Sequence, residues 1–178
     1  MNFWLLLTIN SITFGGLLFL LSAGFSLIFG LMRIPNLTHG SMFMVGAYFG
    51  STFVSNTLGF TVDFWAAAIL SAIGVAVLGA LMERVLLRRL AGQPMAQVLV
   101  TLGVSLMVAD LCLMGWGGDP ISVATPAGLG GFVRAGPAVF PLYRMAIIVI
   151  AAVIAIALWL LIERTRLGAM IRAGVDDP

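Results

Sequence analysis

The chain has 178 residues, 61% of them hydrophobic and only 9% charged, with a mean hydropathy of +1.14. Soluble domains carry roughly 25% charged residues, so this chain cannot cover its own surface in water, and a water-soluble globular domain is excluded. The net charge of +2 rests on nine arginines, with no lysine, and these lack the clustered aromatic and polar partners of a nucleic-acid surface.

Residues 3–31 form an apolar run longer than the ~20 residues that cross a bilayer. No positive charge precedes Arg33, and a secretory leader needs a basic start. The run is therefore expected to stay as a first span. Trp4 suits the interface at one end. Asn10, Ser11 and Thr13 make the first part less apolar, so residues 1–9 are expected at the membrane surface and the span proper from about Asn10.

Ile34-Pro35 then stops the helix, and Asn36, Thr38 and His39 follow. Pro35 has a fixed φ and no N–H, which a helix start tolerates, while Asn36 or Thr38 can cap exposed backbone donors. A second span is expected over 37–55, and its Gly46-x-x-x-Gly50 spacing gives a small-residue face for helix packing. A short loop follows. A third span covers 64–82, with Ala68, Ala72, Ala76 and Ala80 in one stripe read as a packing face. Glu83, Arg84, Arg88 and Arg89 close it, and Gly92 and Pro94 punctuate the connection.

The fourth span, 95–115, contains Asp110, an ionisable group inside an apolar run. Residues 116–141, rich in Gly and Pro, read as an exposed loop. The fifth span is 142–162, and 163–178 is a basic tail in which Arg164, Arg166 and Arg172 alternate with apolar residues.

The fold class expected is all-α: one polytopic membrane domain, 1–178, of about five transmembrane helices. With five crossings, Arg33, the Arg84–Arg89 cluster and the tail arginines share one side, and only Arg134 and Arg144 fall opposite. The positive-inside rule then places the N-terminus outside and the C-terminus in the cytoplasm.

Enzyme chemistry has little to work with. The chain has one histidine and one cysteine, Cys112, and no carboxylates at catalytic spacing. No metal, cofactor or disulfide is expected, and there is no phosphate-binding GxxxxGK[ST] loop. The Asn36–Gly40 stretch has two readings: a hydrogen-bonded helix start, or a polar lining to a cavity between helices. Arg84, Arg88 and Arg89 read as a charge anchor at the inner face.

Three stretches carry a likeness: GFSLIFGLMRIPNLTHG from Gly24 to Gly40, ERVLLRRL from Glu83 to Leu90, and RTRLGAMIRA from Arg164 to Ala173, with TLGVSL from Thr101 in support. Together they resemble the permease subunit of branched-chain amino-acid ABC importers, a group that includes related sugar permeases. Arg89 stands where that family usually has proline, and Ala109-Asp110 where it tends to have Gln-Asn. The likeness is to the N-terminal part of such a permease.

The resemblance implies a bacterial inner-membrane transport subunit working by alternating access. It implies cytoplasmic ATPase subunits, a second permease subunit and a periplasmic binding protein as partners. It makes Asn36, Thr38, His39 and Gly40 candidates for the pathway or its turn, and Arg164, Arg166, Gly168 and Arg172 candidates for contact with a cytoplasmic partner. Two other readings compete: a secondary carrier or channel using Asp110 and His39, and a non-transporting membrane scaffold.

Overall fold

In a chain this apolar, the backbone's own polar groups must be satisfied internally, and helices do this within one segment. A computed structural model describes residues 2–32, 36–55, 62–126, 128–135, 138–165 and 168. It contains five α-helices: α1 (Asn2–Met32), α2 (His39–Val54), α3 (Phe64–Val85), α4 (Pro94–Trp116) and α5 (Leu142–Arg164). A 3-10 turn (Leu87–Leu90) follows α3, and a hairpin of β1 (Phe132–Ala135) and β2 (Ala138–Pro141) precedes α5. The chain falls into two units, residues 1–33 with 125–178 and residues 34–124.

Among the described residues, four stretches are long and apolar enough to cross a membrane: Leu6–Gly30, Phe64–Leu90, Pro94–Trp116 and Leu142–Arg164. The protein is a membrane protein built of such helices. Where a second full span is expected over 37–55, α2 has 16 residues. At 1.5 Å per residue it is ~24 Å long, short of the ~30 Å hydrocarbon core. Its sequence is also less apolar, with Ser41, Ser51 and Thr52 among its residues. Residues 2–9 are not set off by a break, because α1 is helical from Asn2, and its long apolar stretch begins at Leu6.

In the first unit, α1 and α5 run parallel. Asn10 accepts a hydrogen bond from Arg144, and six residues further on Gly16 lies against Ala151, where an added Cβ would sit 3.2 Å from the Ala151 Cβ. The hairpin is antiparallel, with Val133 opposite Phe140 and Arg134 opposite Val139. Phe140 is buried, Phe132 is exposed, and Leu142 N–H donates to Gly131 O at 2.9 Å. The hairpin is the one departure from an all-α chain among the described residues. It lies within the stretch read as open loop, where valine and phenylalanine flank Gly136-Pro137.

In the second unit α2 is the centre, packed on both α3 and α4. It runs antiparallel to α3: Thr38 meets Met82, Gly46 faces Val75 and Gly50 faces Ser71. Asp63 starts α3 by accepting a hydrogen bond from Trp65 N–H at 3.1 Å, a standard N-cap. Gly117, at φ +82°, ends α4 in a conformation that a side chain resists.

Candidate functional site

The stretch from Asn36 to Ser41 folds into a self-satisfied turn. Asn36 Oδ1 accepts from Thr38 N–H at 3.0 Å and from the Thr38 hydroxyl, and Ser41 Oγ donates to Thr38 O at 2.9 Å. Thr38 is 1% exposed and touches Met82 Sδ at 3.4 Å. Thr38 is the residue before α2, yet its side chain makes no capping bond, because the hydroxyl is turned back to Asn36. Met82 lies inside the apolar stretch that ends at Leu90. At Thr38 the turn thus buries its polar groups in protein next to an apolar helix, where non-helical backbone is tolerated. Arg33, Ile34 and Pro35 lie outside the described residues.

His39 and Gly40 begin α2. Gly40 is exposed with open space around it. His39 lines one end of a groove of about 550 Å³ between α2 and α3. Gly46, Gly50, Ser51 and Ser71 line it further along, and its walls are overwhelmingly apolar. The serine hydroxyls are turned onto their own helices: Ser51 donates to Tyr48 O and Ser71 to Ala67 O. The groove therefore offers hydrocarbon and small-residue surface, with few free polar groups.

Gly46 and Gly50 of α2 lie in contact with α3. An added Cβ would come 3.4 Å from Val75 Cγ2 at Gly46 and 3.5 Å from Ser71 Oγ at Gly50. From the α3 side, an added Cβ at Gly74 would come 3.1 Å from the Phe49 ring. The buried residues of α3 are Ala67, Ser71 and Met82. Ala68, Ala72, Ala76 and Ala80 are exposed within this chain, one position round from that line. Ala68 and Ala72 edge the groove.

At the far end of α2, Trp116 Nε1 donates to Thr52 Oγ1 at 2.8 Å and stacks on Tyr48 with ring centroids 5.0 Å apart. At the near end, Gln97 in the first turns of α4 is 5% exposed, and its Nε2 donates to Leu87 O and Leu90 O, each at 3.1 Å. Its Oε1 is buried without a partner among the described residues. The sequence reading passes over Gln97 and Trp116. The available signals are an amide one turn after Pro94 in an otherwise apolar run, and an indole at a helix end.

Asp110 is exposed, toward the C-terminal end of α4. His39 opens α2, and α2 and α4 run parallel, so the two residues lie toward opposite ends of the unit and the structure does not bring them together. Arg164 is exposed at the end of α5, and Gly168 N–H donates to Thr165 Oγ1 at 3.2 Å. Arg166 and Arg172 lie outside the described residues. Among the described residues there is no cluster of three metal-ligating side chains.

The profile of one protein family matches residues 7–178, nearly the whole chain; its description is branched-chain amino acid transport system, permease component. The chain belongs to this family. Membership agrees with the apolar helices in pointing to a membrane protein. Among curated proteins it is similar to the high-affinity branched-chain amino acid transport system permease protein BraD of Pseudomonas aeruginosa. The two are 24% identical over 180 residues, which cover 95% of this chain and 58% of that relative. The chain thus spans a little over half the length of its curated relative. No solved structure matches it.

Proposed function

We propose that this permease-family chain is part of the transmembrane subunit of a bacterial inner-membrane ABC importer for branched-chain amino acids or related small solutes. The family match over residues 7–178 carries the reading. Separate cytoplasmic ATPase subunits supply the energy, a second permease subunit completes the pathway, and a periplasmic binding protein delivers the solute at the outer face. Asn36, Thr38, His39 and Gly40 form the inner turn of α2, and the apolar groove beginning at His39 suits aliphatic rather than ionic chemistry. Arg164 and the arginines after it meet the cytoplasmic partner.

Five crossings fit the helix directions, and the arginine distribution favours the N-terminus outside. Alternation requires the first and fifth helices parallel, the second and fourth parallel, and the second and third antiparallel. Each relation holds within its own unit.

A carrier using Asp110 with His39 fits less well, since the two residues are toward opposite ends of their helices. The deciding experiment is uptake of radiolabelled leucine into inside-out and right-side-out vesicles from cells expressing the whole transporter. Uptake is expected to need ATP and to disappear when the chain is deleted. Uptake driven by an ion gradient without ATP establishes the carrier instead. Full uptake in the deletion strain removes the chain from transport.

A further inference from the structure

We propose that Arg84, Arg88 and Arg89 form a phosphate-binding corner for the headgroup of an anionic phospholipid, held in shape by Gln97. This goes beyond the transport reading and requires only that the chain sits in a bilayer.

Arg84 closes α3, and Arg88 and Arg89 occupy the middle of the 3-10 turn that follows. All three are exposed, and none has a hydrogen-bond or ion-pair partner among the described residues, although Glu83 is adjacent in sequence. Charge of one sign is left facing outward.

The position selects the ligand. The apolar stretch Phe64–Leu90 runs straight into this corner, so wherever α3 lies in lipid the arginines reach the phosphate layer. Each cation is a guanidinium, whose planar fork of donors matches phosphate oxygens two at a time. The first turn of α4 adjoins the corner through Gln97. It contains no acidic residue, and its N-terminus has no side-chain cap, so its partial positive charge adds to the same field.

The corner is also built to hold its shape. An exposed arginine pair on a mobile loop gains little, because ordering the side chains and backbone offsets the attraction. Here the backbone is already ordered. Leu87 is 4% exposed and pins the turn from beneath, and the Gln97 amide ties Leu87 O to Leu90 O across it. Gln97 is a positioning residue: it touches no lipid but fixes the residues that do.

The test uses the full chain purified in mild detergent. Native mass spectrometry counts bound lipid from an equimolar mixture of phosphatidylglycerol and phosphatidylethanolamine, and a second arm adds inorganic phosphate alone. Phosphatidylglycerol is expected to be preferred. Arg84→Gln, Arg88→Gln and Arg89→Gln should each weaken that preference about fivefold, the conversion of ~1 kcal/mol per basic residue near an anionic surface. Phosphatidylethanolamine binding should stay unchanged, which also reports an intact fold. Gln97→Leu should lower the phosphatidylglycerol preference with all three arginines present.

The proposal fails if the triple glutamine variant keeps the wild-type preference, or if the two lipids bind equally. Inorganic phosphate competing as well as the lipid makes the corner a site for a soluble anion. Loss of ATPase co-purification in the triple variant with lipid preference intact assigns the corner to a protein partner. Either result overturns the lipid assignment.

Discussion

Gly74 faces the Phe49 ring so closely that an added Cβ would stand 3.1 Å from Cδ2 and 3.2 Å from Cε2. Gly46 faces Val75 Cγ2 at 3.4 Å. Lipid tails are as apolar as leucine, so burial supplies no drive between membrane helices, and what holds α2 to α3 is contact at this range. Gly46→Leu and Gly74→Leu should each cost about 1–3 kcal/mol, the usual range for overpacking. Gly103→Leu is the matched control, because an added Cβ there meets nothing within 4 Å. Thermal unfolding in detergent decides: a drop at Gly46 and Gly74 with none at Gly103 is expected, and equal behaviour at all three removes the close-contact account. Gln97 stabilises by a different route. Gln97→Leu strips the buried Leu87 carbonyl of its side-chain donor, while Leu90 O keeps the Gln93 N–H, and should cost about 0.5–1.5 kcal/mol, the usual net worth of a hydrogen bond.

Among the elements, α2 differs most from its neighbours. It is the shortest of the five helices and carries buried Ser41, Val45 and Ser51. It is held at one end by Thr38 on Met82 and at the other by Trp116 on Thr52. The second clamp combines a hydrogen bond with a ring stack on Tyr48. Trp116→Phe keeps a ring and loses the donor, so a double-mutant cycle with Thr52→Val isolates the hydrogen bond, expected at about 0.5–1.5 kcal/mol. A coupling of zero means the indole contributes only its stack.

The four long helices are legible in the sequence because hydropathy over some twenty residues depends on no tertiary detail. The shape of α2 is not, because Asn36 and Thr38 read equally as caps or cavity lining until their bonds to each other are seen. The hairpin is hidden for a related reason: a Gly- and Pro-rich stretch is expected to be loop unless cross-strand partners such as Val133 and Phe140 are known. The alanine spacing fixes that four residues share a face, but not which neighbour that face meets. The contact line of α3, through Ala67, Ser71 and Gly74, is one step away.

At the scale of the whole molecule, the count of crossings turns on α2. Its ~24 Å is less than the ~30 Å of a hydrocarbon core. The shortfall does not prevent a crossing, because the Thr38 N–H and hydroxyl are taken up by Asn36 Oδ1, its carbonyl by Ser41, and Thr38 is enclosed by protein. The helix can then begin below the membrane surface and still deliver the chain across. The arrangement makes a sharp prediction for single cysteines placed in a Cys112→Ser background. Leu37→Cys, Gln93→Cys and Thr165→Cys sit at exposed residues flanking α2, α4 and α5. All three should react with a membrane-impermeant maleimide only from the cytoplasmic side. Asp119→Cys, after α4, should react only from outside. If α2 dips in and returns without crossing, Leu37→Cys and Gln93→Cys label from opposite sides. In that case the five-crossing arrangement fails, along with the shared side for Arg33 and the Arg84–Arg89 corner.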